Sequence, residues 1–391
     1  MKTRPNIIVG ANAGRSRHHN RQVVLDQVRA SGKIGRAEIA RASGLSIQAV
    51  SNITADLLEE ALIVELGRRA SARGKPPLQY ALNPRGGYAI GVEIRPDAIF
   101  AAILDLCGTM VMSERWPLTD LDRDALTALV ADLIEHVQRV AEVPDERVLG
   151  VGIVMPGPFG QTGIRGEGAE LPVWEPTPPD TWFAQALGLP VIVENDANAA
   201  AMAEMLTGVA HGHDSFAFIY FGNGIGLGTI EHGRLIKGGL GKAGEIGHIT
   251  VPHRGKQVAL EAAVSRLSVQ SHLLSAGITV QSGADLEQLA QTDNPVLKEW
   301  LEAAVPALST AITVVENLFD PELIILGGAM PDAILDYFVD HVQLSEKSVA
   351  HRQGRRAPRL QKGRAGRITA TLGAAAIVLN HSFTPKISAI S

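Results

Sequence analysis

The sequence has almost no cysteine and no long apolar run. Cys107 is the single cysteine among 391 residues, which excludes an internal disulfide and argues against a zinc site built from thiolates. No stretch of about 18 uncharged apolar residues is present, so a membrane span is not expected. The first 20 residues are polar and basic and lack the apolar core of a secretion signal. We expect a bacterial cytoplasmic protein in which residues 1–19 form a flexible tail.

A strong excess of either charge is also missing, but the charges are unevenly distributed. Residues 1–80 contain 13 Lys/Arg and 6 Asp/Glu, a net charge of +7, whereas the remainder contains 23 and 35, a net charge of −12. A basic head on an acidic body is typical of a DNA-binding module joined to a ligand-binding module. The chain is long enough for two or three domains. We place the DNA-binding domain at residues 20–84 and the ligand-binding domain at residues 85–391.

Three helices are predicted between residues 22 and 60. The apolar residues of the first helix fall on one face, and residues 36–42 form the second. Gly44 suits the positive φ of a tight turn between two helices. Ser46 is expected to cap the third helix by accepting a hydrogen bond from a free backbone N–H. The pattern predicts a helix-turn-helix.

The third helix and the segment after it are expected to contact DNA. Its apolar residues recur at helical spacing, which leaves polar residues outward near its N-terminus, where a recognition helix reads bases. Gln and Asn pair with adenine, and Ser contacts phosphate. A strand, a basic loop and a second strand follow, as in a wing. The predicted contacts are Arg36, Ser46, Gln48, Ala49, Ser51 and Asn52 in the helices and Arg68, Arg69, Arg73 and Lys75 in the wing. The alternative is a three-helix module used only for dimerisation or packing.

From residue 87 onward the pattern is α/β. Segments 91–94 and 99–105 predict a β-hairpin, and 126–140 predicts an amphipathic helix. Residues 148–154 and 191–193 predict buried strands, each followed by a segment rich in glycine or polar residues. Such strand ends are where α/β sheets bind ligands.

Three segments of the body resemble the ROK family (repressors, open reading frames, kinases). They are VENDANAAAMAE, the glycine loop that continues to GGLGKAGEIGH, and DPELIILGG. The N-terminal run GLSIQAVSNITADLLEEALI resembles the winged-helix head of the same family. The resemblance implies an N-terminal winged helix-turn-helix domain followed by a two-lobed, actin-like (ribonuclease H-like) α/β body. It places the lobes at about 85–200 plus 366–380 and at 201–365, with a sugar in the cleft between them.

The resemblance also implies a set of sugar contacts. Asp196 matches the general base of the ROK kinases, and a carboxylate at a strand end can accept two hydroxyl hydrogen bonds. Glu170 stands where the family has an Asn. The implied effector-binding residues are Glu170, Asn195, Asp196, Glu245, His248 and Glu261. Taken singly, an Asn-Asp pair at a strand end is also typical of a turn or a helix cap.

The hairpin that binds ATP phosphates in the family is altered. Its Asp-x-Gly-Gly-Thr-Lys pattern is replaced by Glu93–Ala98. The glycines that let backbone N–H groups approach phosphate are gone, Pro96 removes a donor, and Asp97 adds a negative charge. We therefore expect a degenerate kinase without ATP and without a catalytic residue. The later loop 222–228 keeps its glycines, which we interpret as a tight turn of the fold.

Two further departures concern metal and ligand. The family's zinc cluster, one His and three Cys, keeps only His248, so we expect no metal and no cofactor. Some other packing must then hold the helix of Glu261. Glu170 would repel a phosphate, which predicts an unphosphorylated effector.

The sequence favours a sugar-responsive transcription regulator. A homodimer or homotetramer would place two heads on a pseudo-palindromic operator in double-stranded DNA. The sugar can shift DNA affinity only as far as it binds two states differently. Repression is the expected outcome, although activation needs the same parts. The alternatives are an active ATP-dependent sugar kinase with a regulatory head, and a constitutive DNA-binding protein whose body only oligomerises.

Overall fold

A computed structural model describes residues 13–68, 78–118, 122–155, 177–280, 282–355 and 357–383, with the side chains of 13–16 and 68 outside the description. Four predicted contact residues therefore lie outside the described residues: Arg69, Arg73, Lys75 and Glu170. Only the backbone of Arg68 is described. The described chain forms a head and two lobes, each lobe built on its own five-stranded sheet.

The head is a helix-turn-helix with a small antiparallel sheet. It contains α1 (Ala13–Ser31), β1 (Ile34–Gly35), α2 (Arg36–Ser43), α3 (Ile47–Glu59), β2 (Ile63–Arg68) and β3 (Leu78–Leu82), and the sheet order is β1-β3-β2. Gly44 ends α2 with φ 71°, and the Ser46 side chain caps α3 by accepting from the Ala49 N–H at 3.1 Å. The predicted turn and cap are both confirmed.

Helix α1 corrects the expected start of the head at residue 20, and residues 1–12 of the expected tail lie outside the described residues. It begins at Ala13 and runs without a break to Ser31. Arg17 pairs with Asp56 at 2.8 Å, and Arg21 pairs with Glu60, so both side chains tie α1 to α3. The polar, basic segment continues a helix whose Val24, Leu25 and Val28 are buried in the head core, and these contacts add to that packing.

Lobe one is built on a sheet of order β6-β5-β4-β7-β8. Its elements are β4 (Tyr88–Arg95), β5 (Ala98–Asp105), β6 (Met110–Pro117), α4 (Arg123–Val140), β7 (Val148–Val154), α5 (Pro179–Leu187) and β8 (Val191–Glu194). Strands β4, β5 and β6 form an antiparallel meander, and β7 and β8 add in parallel to β4. One face of the sheet packs its apolar side chains against α4 and α5. The predicted hairpin, helix and strands are confirmed.

Lobe two repeats the same sheet topology. Its order is β11-β10-β9-β14-β15, with β9, β10 and β11 antiparallel and β14 and β15 parallel. The strands are β9 (Phe216–Phe221), β10 (Ile225–Glu231), β11 (Arg234–Leu235), β14 (Ile324–Gly328) and β15 (Leu360–Lys362), and a separate hairpin pairs β12 (Thr250–His253) with β13 (Lys256–Ala259). The helices are α7 (Leu260–Val264), α8 (Arg266–Ser275), α9 (Gly283–Gln291), α10 (Pro295–Phe319) and α11 (Asp332–His341).

Two helices lie between the lobes and pack against each other. These are α6 (Asp196–Thr207) and α12 (Thr369–Phe383), both rich in alanine and buried along most of their length. The expected lobe boundary between residues 200 and 201 falls inside α6. Because α6 contacts α12 as well as the lobe-two strands β9 and β10, it belongs to this shared layer and not to one lobe. Within the described ranges, no helix has the length and apolarity needed to cross a bilayer.

Candidate functional site

The head presents a polar face at the start of α3. Ser46, Gln48 and Asn52 are exposed, and Ala49 and Ser51 are half-buried beside them. The Gln48 Nε2 donates to Asn52 Oδ1 at 3.0 Å, so the two amides are already aligned one helical turn apart. The opposite face of α3 is buried in the head core through Val50, Ile53 and Leu57. The structure therefore brings together the helix residues expected to read bases.

Arg36 is placed differently from the other predicted contact residues. Its guanidinium lies 5.3 Å over the ring of Tyr80 on β3, and its Nε is buried without a hydrogen-bond partner in the described structure. Part of this side chain therefore packs within the head.

In the body, Asp196 is the first residue of α6 and lies at the end of β8. Its Oδ1 accepts from the Ala197 N–H at 2.8 Å. Burial and the nearby charge of Glu93 raise the pKa of Asp196 from 3.8 to about 7. Neighbouring Asn195 is the N-cap of α6, because its Oδ1 accepts from the Asn198 N–H at 2.8 Å. The side-chain oxygen of Asn195 thus already accepts a hydrogen bond from the backbone of α6.

The glycine turn between β9 and β10 runs between Asp196 and Glu261. A Cβ at Gly222 would lie 3.4 Å from Asp196 Oδ2, and one at Gly224 would lie 2.6 Å from Glu261 Oε2. Side chains at these positions would fill the space in front of both carboxylates. The Gly222 N–H bonds the Gly224 carbonyl at 3.0 Å, so the loop does form the tight turn that we expected.

His248 lies between two carboxylates. Its Nδ1 is 3.7 Å from Glu261 Oε1, and its Nε2 is 4.0 Å from Glu245 Oε2. All three side chains are about one third exposed. Burial raises the pKa of Glu245, while His248 opposes the rise. The structure thus brings Asp196, at the end of β8 in lobe one, near Glu245, His248 and Glu261 of lobe two. Because the family resemblance implies a cleft with sugar contacts at these positions, we call this group the sugar side of the cleft.

The β12–β13 hairpin connects His248 to Glu261, where the family resemblance implies a zinc segment. Arg254 (φ 47°) and Gly255 (φ 77°) form its two-residue turn, a conformation that suits tight hairpins. The hairpin docks on α10 through His253 Nδ1 and the Ala303 carbonyl at 3.1 Å and through an Arg254–Glu299 ion pair at 3.0 Å. It starts just after His248 and ends just before Glu261, so it fixes the distance between them. In the described parts of the chain, no group of three or more potential metal ligands occurs.

Sequence reasoning missed an ion pair across the cleft. Lys237 Nζ, from the segment after β11, lies 2.6 Å from Glu194 Oε2 at the end of β8. The other oxygen of Glu194 accepts from the Asn195 N–H at 3.1 Å and from Asn198 Nδ2 at 2.9 Å. The position of Glu194 directly before Asn195 and Asp196 was a usable signal, but nothing local identifies Lys237 as its partner.

The hairpin that we expected to have lost phosphate binding has its Glu93 and Arg95 side chains engaged within the protein. Glu93 is buried and pairs with Arg95 through two hydrogen bonds of 2.7 and 3.1 Å. It also accepts from Thr371 Oγ1 at 2.6 Å and from Tyr220 OH at 3.4 Å. Burial alone would lower the pKa of Arg95, but the pairing with Glu93 outweighs it and holds that pKa above its usual value. We call Glu93 to Ala98 the phosphate side.

Comparison with known proteins matches the ROK family model to residues 89–381. The chain belongs to the ROK family. Among characterised relatives, the xylose repressor of Bacillus spizizenii is 25% identical over 371 residues, covering 93% of this chain and 95% of that protein. The transcriptional dual regulator NagC of Escherichia coli is 24% identical, covering 77% and 78%.

Solved structures confirm the fold. A ROK family transcriptional regulator, a homologue of the E. coli MLC protein, superposes with a TM-score of 0.74 at 23% identity, covering 94% of this chain and 97% of that one. A ROK glucokinase from Streptomyces griseus, solved with glucose and AMPPNP, has a TM-score of 0.60 at 25% identity and covers 74% and 99%. The regulator matches head and body together, whereas the kinase leaves about a quarter of this chain unmatched.

Proposed function

We propose that this protein is a sugar-responsive transcription regulator that represses carbohydrate genes in the bacterial cytoplasm. The observation that carries the proposal is the contrast within one cleft. Its sugar side keeps partly exposed carboxylates and a histidine, whereas its phosphate side is filled by internal ion pairs and hydrogen bonds. The xylose repressor, whose name states a regulatory function, covers 93% of this chain and so matches both the head and the body, and NagC is named as a transcriptional regulator as well. The first sugars to test are xylose, N-acetylglucosamine and glucose, which are named for the xylose repressor, for an N-acetylglucosamine repressor of E. coli and for the ROK glucokinase structure.

The head supplies the DNA-binding part of the proposal. Two heads of a homodimer or homotetramer would occupy two half-sites, with Gln48 and Asn52 at the base edges and the wing arginines on phosphates. Sugar binding between the lobes would change the spacing of the heads and thereby the operator affinity.

The deciding experiment measures binding of the full chain to its own upstream DNA by fluorescence anisotropy. Titrations are run without ligand and with each of the three sugars and their 6- or 5-phosphates. We expect a free sugar to weaken operator binding about 5- to 150-fold, and Asn52→Ala to weaken discrimination between operator and scrambled DNA. If DNA binding is tight yet no sugar changes it, the body only oligomerises and the sensor proposal fails.

A kinase is the second candidate, and Asp196 favours it. A carboxylate with a pKa near 7 suits a general base. The paired Glu93–Arg95 side chains oppose it, because this hairpin lacks the glycines that let backbone N–H groups approach a triphosphate. A coupled assay for ADP with the same sugars separates the two, since sugar-dependent turnover above about 1 per second would establish a kinase.

A further inference from the structure

Helix α12 reaches from the cleft to the head. Thr371 lies near its first turn and Phe383 is its last residue. Twelve residues at about 1.5 Å each separate them by about 18 Å. The helix is buried along most of this length, and it contacts the Glu93 network at one end and α1 at the other.

At the cleft end, one carboxylate joins three parts of the molecule. Glu93 belongs to lobe one, Tyr220 belongs to lobe two and Thr371 belongs to α12, and both hydroxyls donate to Glu93. Arg95 adds a hydrogen bond from its Nη2 to the carbonyl of Arg367 at 2.7 Å, just before α12 begins. A change in the angle between the lobes must therefore stretch or relax contacts to α12.

Along its length, α12 touches its neighbours backbone to backbone. A Cβ at Gly91 or Gly152 in the lobe-one sheet would collide with the carbonyl oxygens of Thr371 and Ala374, and one at Gly373 would collide with Ala199 of α6. Because no flexible side chains lie between these backbones, a displacement is passed on instead of being absorbed by rotamer changes.

At the head end, α12 meets α1. The Arg29 guanidinium lies 5.3 Å over the Phe383 ring and is held by Asp26 at 2.7 Å. A second attachment lies elsewhere, where Arg147 donates to the Glu60 carbonyl at the end of α3 at 2.9 Å. Motion of α12 against α1 would turn the head about this second attachment.

We propose that α12 carries effector binding from the cleft to the head, with Thr371 and Phe383 as its coupling residues. The inference rests on the proposed function. Closure of the lobes on a sugar moves Tyr220 relative to Glu93. Because Glu93 also bonds Thr371, α12 then shifts as a rigid helix. Its last residue, Phe383, changes the orientation of α1. Thr371 and Phe383 are positioning residues, since neither is part of the sugar side or the base-reading face.

The first test needs no sugar. Hydrogen–deuterium exchange of the full-length protein is compared for wild type, Thr371→Val, which loses the hydroxyl, and Thr371→Ser, which keeps it. We expect Thr371→Val to speed exchange in α1 about threefold or more, and Thr371→Ser to match wild type. Faster exchange confined to the cleft, with exchange in α1 unchanged, would contradict the proposed coupling through α12.

The second test measures how much a sugar changes operator affinity. It uses xylose, glucose or N-acetylglucosamine, depending on which of them changes operator binding by the wild type. Phe383→Leu should leave the calorimetric sugar affinity within about twofold while the ratio of operator dissociation constants with and without sugar falls toward one. If Phe383→Leu and Thr371→Val both keep the wild-type ratio, the proposed coupling through α12 is rejected. If operator binding by the wild type responds to none of these sugars, the proposed function is rejected instead, and the coupling through α12 is then tested by hydrogen–deuterium exchange alone.

Discussion

The two sides of the cleft differ in how their polar groups are partnered. On the phosphate side, both oxygens of Glu93 are taken by Arg95, Thr371 and Tyr220. On the sugar side, His248 contacts its two carboxylates only at 3.7 and 4.0 Å, beyond hydrogen-bond distance. Because these three side chains are about one third exposed, they can exchange water for the hydroxyl groups of a ligand. The described side chains of the phosphate side are thus paired internally, whereas those of the sugar side are partly exposed to solvent.

Breaking the pairing on the phosphate side should produce the largest effect. Glu93→Ala leaves Arg95 buried without its counter-charge, and we expect a loss of about 3–5 kcal/mol in the free energy of unfolding, measured in urea. Arg352→Ala is the matched control, because it breaks the half-exposed pair with Asp320 and should cost less than about 1 kcal/mol. Equal losses from both variants would mean that the phosphate side is not closed by a structural ion pair.

The sequence predicts the turn of the head and the residues of the sugar side, but it does not predict the pairing on the phosphate side. Gly44 and Ser46 were predictable because turns and caps depend on neighbouring residues, and Asp196, His248 and Glu261 were predictable because long motifs carry them. The Glu93–Thr371 bond joins residues 278 positions apart, and no local pattern encodes such a pairing. The β12–β13 hairpin was not predicted either. The absence of cysteines argued against a zinc cluster but did not indicate which other packing holds the helix of Glu261.

Removing acceptors from the sugar side should affect ligand binding more than stability. Asp196→Asn and Glu261→Gln keep side-chain volume and replace one acceptor oxygen of each carboxyl group with an NH2 donor. We expect each to weaken the binding of the responsive sugar about 10- to 100-fold, or about 1.4–2.8 kcal/mol, by calorimetry. Operator affinity without sugar should stay unchanged. Full sugar affinity in both variants would place the sugar elsewhere.

A pH titration should separate Asp196 from its neighbours. Its pKa is raised from 3.8 to about 7, so the native state holds the proton more tightly than the unfolded chain does. The stabilisation is complete below pH 4 and is lost as pH rises through 7. The difference in unfolding free energy between wild type and Asp196→Asn should fall by about 2 kcal/mol from pH 4 to 8. This is less than the full effect of the raised pKa, because Asp196 keeps some contact with solvent. A flat difference would show an ordinary pKa.

Chelation should have the smallest effect. The hairpin that replaces the zinc segment is held by backbone pairing and by its contacts with α10, so we expect EDTA to shift the melting temperature by less than about 1 °C. Sugar affinity should stay equal as well, because the spacing of His248 and Glu261 depends on the hairpin. Glu299→Ala, which removes the partner of Arg254, is the informative comparison. It should weaken sugar binding slightly, and a larger effect from EDTA than from Glu299→Ala would mean that a metal on His248 or His253 organises the sugar side.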